Sequence, residues 1–160
     1  IGRMLGEKAA ALGMNVVFYR RTPTTASFAR QVSLEELLAE SDYISLHVPK
    51  TPETANILNA ETLAKAKDGV FIVNCGRGGT IDEDALYDAL VSGKVAGAAL
   101  DVFTDEKVNP GNARLFALRD KDGFLRVVGS PHVGASTAEG QDRVGGEVAE
   151  ILIDIYRQGA

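Results

Sequence analysis

Short runs rich in Val, Ile and Phe alternate along this chain with longer segments of helical period, and few folds satisfy that order. The runs lie at 14–19, 43–48, 69–75, 97–103 and 126–130. They show little polar alternation, as expected of strands covered on both faces. Ile1, Met4, Leu5, Ala9 and Leu12 form one apolar helical stripe, closed by Gly13. Ser33 and Glu36 have capping-box spacing for a helix through Ala39. Asn59 or Glu61 opens a short helix through Ala66, and Asp82 opens one that ends near Gly93. Val144, Val148, Ile151, Leu152 and Ile155 mark a long final helix. The order predicts an α/β fold with a doubly wound parallel sheet. Residues 107–125 are the one irregular stretch, long and polar for a connection.

A length of 160 residues with 45% hydrophobic content suits one domain with a real core. The net charge of -5, spread without a basic stripe, argues against nucleic acid or an anionic membrane as partner. No apolar run reaches the ~18 residues that a spanning helix needs. The lone cysteine, Cys75, rules out an internal disulfide and fits a reducing, cytoplasmic setting. With only His47 and His132 beside it, zinc chemistry is not expected.

The chain opens inside a helix, at Ile1-Gly2-Arg3. In a Rossmann-type NAD(P)-binding domain a strand and Gly-x-Gly-x-x-Gly lead into such a helix, and Gly2 fits the last glycine. Ile1 and Gly2 are therefore candidate cofactor contacts. On this reading residues 1–160 are a dinucleotide-binding domain whose first strand and first two fingerprint glycines lie upstream, without a substrate domain. A true helix-first domain is the alternative. The upstream strand would sit mid-sheet, and each buried backbone group left without it costs roughly 1–3 kcal/mol. The chain alone is therefore expected to be unstable.

After the strand ending at Tyr19, an NAD enzyme normally has an acid for the ribose hydroxyls. This chain has Arg20-Arg21-Thr22. Paired guanidiniums with a hydroxyl beside them suit the 2'-phosphate of NADP. The alternative is two solvated arginines in an enzyme that accepts either NAD or NADP.

Three strings follow strand ends: NCGRGG at 74–79, GAALDVFTDE at 97–106 and SPHVGAST at 130–137. With SLHVP at 45–49 they resemble the D-isomer-specific 2-hydroxyacid dehydrogenases over nearly the whole chain. The resemblance implies hydride transfer between a nicotinamide and C2 of a D-2-hydroxy acid or 2-oxo acid. Phosphoglycerate oxidation is the first candidate; NADPH-dependent glyoxylate or hydroxypyruvate reduction is the alternative. It also implies a homodimer, with 76–97 a contributing region.

Roles follow from the same resemblance. Arg77 holds the substrate carboxylate in its guanidinium fork. His132 passes a proton to or from the substrate oxygen. Glu106 orients the imidazole and favours its charged form. Lys107, where the family usually has proline, puts that turn's register in question, with Asp105 as the neighbouring acid. Asp101 accepts from the nicotinamide carboxamide, or merely caps a turn. Val48, Pro49, Cys75 and Gly76 contact the cofactor, mostly through backbone, with Gly134 and Ala135 close to the nicotinamide. Cys75 reads as a packing residue beside the cofactor. His47 is as well explained by a structural role as by a cofactor contact. NAD(H)-sensing transcriptional corepressors share this domain and its triad, and a decayed cofactor-binding domain is a further alternative.

Overall fold

The structure, a computed structural model, describes residues 1–105, 113–134 and 136–159. In chain order the elements are α1 (Gly2–Ala11), β1 (Val17–Phe18), β2 (Arg30–Gln31), α2 (Leu34–Glu40), β3 (Tyr43–Leu46) and α3 (Ala60–Lys65). Then come β4 (Val70–Asn74), α4 (Glu83–Ser92), β5 (Val95–Leu100), α5 (Ala113–Ala117), β6 (Val127–Gly129) and α6 (Ala138–Gly159). The pairing within both sheets is parallel throughout. One sheet runs β3-β4-β5-β6, and a separate pair joins β1 to β2. The expected fold class is therefore present, interrupted between β1 and β3.

Local chemistry starts and stops the helices. Asn59 and Thr62 form a reciprocal cap on α3: Asn59 Oδ1 accepts the Thr62 N–H at 3.1 Å, and Thr62 Oγ1 accepts the Asn59 N–H at 2.8 Å. Asp82 Oδ1 accepts the N–H groups of Asp84 and Ala85, both at 3.1 Å, and opens α4. Gly93, at φ 82°, closes it. The box expected at α2 is only half made. Ser33 Oγ accepts the Glu36 N–H at 3.1 Å, but the Glu36 carboxylate takes Arg30 Nη1 at 2.5 Å instead of reaching back.

Helices α2 to α5 cover one sheet face. Leu38, Leu63, Leu86, Leu90 and Leu115 are buried with Ile44, Val70, Ile72, Val95 and Val127 of the strands. Each such side chain taken from water contributes about 1.5–3 kcal/mol. The pleat sends Tyr43, Phe71 and Val128 to the other face, where they are 58%, 42% and 56% exposed. Tyr43 stacks on its cross-strand partner Phe71, ring centroids 5.2 Å apart. The expectation that both faces are covered is corrected here: no described helix lies over this one, and a hollow of about 670 Å³ opens above it. That hollow holds none of the candidate site residues.

Three further expectations are corrected. The α1 stripe does not face a core: Met4, Leu5 and Leu12 are exposed, and the residue that α1 buries is Gly6. The final helix forms as read, yet Val144, Val148, Ile151, Leu152 and Ile155 are exposed. Within 107–125, α5 forms and buries Leu115, because its small apolar patch packs beside β6.

Parallel strands end together. Leu46, Asn74, Leu100 and Gly129 therefore deliver the segments that follow them to one edge. Ligands bind at that edge in open parallel sheets.

Candidate active site

Asn74, the last residue of β4, is only 2% exposed, and a buried amide must be satisfied. Its Oδ1 accepts the Gly76 N–H at 3.1 Å. Its Nδ2 donates to Thr80 Oγ1 at 3.1 Å and to the Arg77 carbonyl at 3.2 Å. Thr80, fully buried, donates to the same carbonyl at 2.8 Å. These bonds fold 76–80 into one compact turn with the Arg77 side chain exposed at the sheet edge. Arg77 Nη1 donates to the Gly76 carbonyl at 2.7 Å, which leaves most of the guanidinium's five donors facing outward. Gly78 has no substitute in this turn: a Cβ there would stand 1.8 Å from the Phe103 carbonyl oxygen.

On the adjacent strand, just past the end of β5, Asp101 organises the histidine loop. It is 4% exposed, and both of its oxygens are used. Oδ1 accepts from Ser130 Oγ at 2.5 Å and from the Val133 N–H at 2.9 Å; Oδ2 accepts the Gly134 N–H at 3.0 Å. Burial pushes the Asp101 carboxyl up. The hydrogen bonds from Ser130, Val133 and Gly134, with the charge of His132, outweigh burial and hold it below the usual carboxylate range. Asp101 thus caps the turn that carries His132, as one of its two expected roles requires, and ties the chain on both sides of that histidine. His132 itself sits at φ 56°, in the left-handed region, with its side chain exposed at the edge. Non-glycine residues held there cost about 1–3 kcal/mol and persist where their surroundings fix them. Here the Asp101 bonds do the fixing.

Arg77 and His132 therefore leave from the strands that flank β5. With strands about 4.8 Å apart, roughly 10 Å separates the two strand ends, room for a small acid between the side chains. Glu106 and Ala135 lie outside the described residues. Asp105 is described, and its side chain is exposed.

The cofactor-side residues spread along the same edge. Val48 and Pro49 follow β3, and Gly76 approaches the Leu46 carbonyl so closely that a Cβ would meet it at 3.1 Å. Gly2 lies against His47: a Cβ on Gly2 would meet the His47 ring at 3.1 Å. His47 is bonded to Ser45 Oγ at 2.9 Å, and partial burial lowers its pKa. His47 thus lies beside the start of α1 with its side chain exposed, a placement that suits either of its two expected roles. The first turn of α1 carries no acidic side chain, which suits an anion at that end of the helix. Arg20, Arg21 and Thr22 leave the end of β1 and are exposed. Cys75 is exposed rather than packed away, because the turn at Gly76 carries it out of the sheet.

Sequence reasoning missed Asn74, Thr80 and Ser130 as parts of this edge. The signal for Asn74 was present: an amide inside an apolar strand run needs a full set of partners. Among the described residues no cluster of three or more His, Cys, Asp or Glu side chains could hold a metal ion, and no helix is long and apolar enough to cross a membrane.

These features fit a nicotinamide dinucleotide. A helix start without acidic side chains suits a pyrophosphate, and glycines at 76 and 134 let backbone approach a flat ring. Comparison with known proteins agrees. Residues 1–134 match the NAD binding domain of the D-isomer specific 2-hydroxyacid dehydrogenases. The chain is 49% identical to a hydroxypyruvate reductase of Thermotoga maritima over 151 residues, 94% of this chain and 48% of that protein. It is 47% identical to a D-3-phosphoglycerate dehydrogenase of Mycobacterium tuberculosis over 154 residues, 94% of this chain and 28% of that protein. The crystal structure of a glyoxylate reductase from Paecilomyes thermophila superposes with a TM-score of 0.85 at 37% identity, covering 99% of this chain and 47% of that one. The chain thus spans half or less of the length of these relatives. Shared motifs, shared edge and shared fold together make the chain a member of the D-isomer specific 2-hydroxyacid dehydrogenase family, carrying its NAD binding domain.

Proposed function

We propose that this chain is the cofactor-binding part of an oxidoreductase that interconverts a D-2-hydroxy acid and its 2-oxo acid. The observation that carries this is the pairing of two built loops at one sheet edge, one presenting Arg77 and the other His132, on either side of β5. A bound nicotinamide supplies or accepts the hydride. Arg77 grips the substrate carboxylate and turns C2 towards the ring. In the reducing direction His132, as imidazolium, gives its proton to the oxygen on C2; in oxidation the neutral imidazole takes it back. Glu106 is assigned to orient that imidazole, by family resemblance. Asp101 holds the loop and presents its remaining acceptor capacity to the carboxamide.

Phosphoglycerate oxidation and hydroxypyruvate or glyoxylate reduction both remain within this chemistry, and the relatives above bear both kinds of name. They lend nothing to the corepressor alternative. A strand between β1 and β3 completes the sheet in this reading, supported by the break between the two pieces. It brings the first two fingerprint glycines to the start of α1 in this reading. The second domain of the intact enzyme forms the other wall of the cleft, so residues 1–160 alone have no turnover. The homodimer rests on the family resemblance and the cytoplasmic setting on the lone Cys75.

NADP is the favoured cofactor, because Arg20 and Arg21 stand where an NAD enzyme keeps an acid. Steady-state kinetics on the intact enzyme test this. A 2-oxo acid should be reduced to the D product, with a KM for NADPH at least about tenfold below that for NADH, the margin of one charge-assisted contact. A clear NADH preference ends the NADP assignment alone. Failure to reduce glyoxylate, hydroxypyruvate and its phosphorylated analogue ends the functional one.

A further inference from the structure

The arginines that distinguish the two cofactors do not hold themselves in place. Residues 20–24 leave the end of β1 as an exposed loop, and Arg20 has no ion pair among the described residues. Arg21 Nη1 is 4.0 Å from Glu53 Oε2, with both side chains more than half exposed, a contact too solvated to fix the loop. The neighbouring strand supplies what is missing. Gln31, half-buried in β2 and in register with Phe18, turns its side-chain amide onto the loop backbone. Its Oε1 accepts the Thr24 N–H at 2.7 Å. Its Nε2 donates to the Arg20 carbonyl at 2.8 Å and to the Thr22 carbonyl at 3.3 Å.

The partners decide which end of the amide is which. One backbone donor must face the oxygen, and two backbone acceptors must face the NH2 group. Glutamine is the side chain of this length that offers both. A leucine would leave three backbone groups without these bonds, and a glutamate would set a carboxylate against two carbonyls. The preceding residue, Arg30, points away from the loop, with Nη1 on Glu36 at 2.5 Å and Nη2 on Glu40 at 2.8 Å. This keeps a third guanidinium away from the pair at 20 and 21.

We infer that Gln31 is a positioning residue for cofactor selection: its amide clamps residues 20–24 so that Arg20, Arg21 and Thr22 meet the 2'-phosphate of NADP as a preformed site. The inference rests on the NADP reading above. Gln31 touches no part of the cofactor. It lowers the ordering that the loop must undergo when the phosphate binds, which is where preorganisation raises affinity. NADH, without that phosphate, gains little from an ordered arginine pair.

The test is kinetic, on the intact enzyme carrying Gln31→Leu or Gln31→Glu. With Gln31→Leu the KM for NADPH should rise about tenfold, the size of one or two net hydrogen bonds. The KM for NADH, the KM for the 2-oxo acid and kcat at saturating cofactor should each stay within about twofold. Gln31→Glu retains the acceptor for Thr24 but loses both donors, and it should show the same selective rise. It also stands in if the leucine variant fails to fold, with a thermal melt recorded for each. A purely structural role would move both cofactor KM values together or lower kcat, and either result overturns the clamp, as does no change at all. A wild-type enzyme indifferent to the 2'-phosphate overturns the NADP reading itself, before any variant is compared.

Discussion

Replacing His132 with Gln in the intact enzyme should lower kcat for 2-oxo acid reduction by about 10²–10⁴, the usual contribution of a positioned proton donor, while cofactor affinity changes by less than about threefold. Glutamine is near the size of histidine but cannot give up a proton at neutral pH. The loop itself should survive the change, because the three bonds from Ser130, Val133 and Gly134 to Asp101 remain in the variant. The loss should therefore appear in kcat rather than in the melting temperature. The left-handed backbone at residue 132 sharpens the reading. A residue free to relax would leave that region. His132 stays there because three hydrogen bonds to one buried carboxylate fix the chain on both sides of it, so the strain is spent on aiming a side chain. Steady-state kinetics with a fluorescence titration of the reduced cofactor separate the two quantities. A variant that keeps wild-type kcat would remove His132 from the chemistry.

Asp101→Asn should be the next most damaging change, with kcat/KM down by about 10- to 150-fold, equivalent to the ~1.5–3 kcal/mol of hydrogen bonding to a charged group. The asparagine keeps the shape, yet its NH2 end can accept nothing from Ser130, Val133 or Gly134. At least one of those donors then faces another donor in a site 4% exposed to solvent. The pH dependence has a definite sign. The folded-state pKa of Asp101 lies below its ordinary value, despite burial, because of the bonds from Ser130, Val133 and Gly134 and the charge of His132. The stability it contributes is complete above the ordinary carboxylate value of about 3.9 and is lost as pH falls through the lower folded one. Denaturant unfolding of the wild type and the variant should therefore differ at pH 7 and converge in strong acid. A constant difference down to pH 2 would show that the bonds do not depend on the ionised form.

Periodicity revealed most of the scaffold. The runs at 43–48, 69–75, 97–103 and 126–130 became β3 to β6, because β-branched residues in short blocks have few other uses. The caps at Asn59, Asp82 and Gly93 were legible because each rests on contacts within one turn. The two-residue β2 was not legible, since Arg30-Gln31 has no apolar pattern and pairs only because β1 lies beside it. For the same reason the role of Gln31 was hidden: its three partners are 7 to 11 residues away in sequence and meet it only in three dimensions. In the site, Arg77, Asp101 and His132 could be picked out from their motifs. The turn that Asn74 and Thr80 build, and the joint hold of Asp101 on both sides of His132, are properties of the folded loops. The bare second sheet face also escaped the sequence, because apolar residues announce that they need cover but not which element provides it.

The central claim is that Arg77 and His132 form one site that reads a carboxylate and a neighbouring carbonyl together. Comparing a 2-oxo acid with its neutral amide on the intact enzyme tests it directly. The wild type should prefer the acid in kcat/KM by at least about a hundredfold, as a bidentate guanidinium contact implies, and Arg77→Gln should bring the two within about threefold. A variant that still prefers the acid as strongly as the wild type would place the carboxylate elsewhere and separate the two loops' functions.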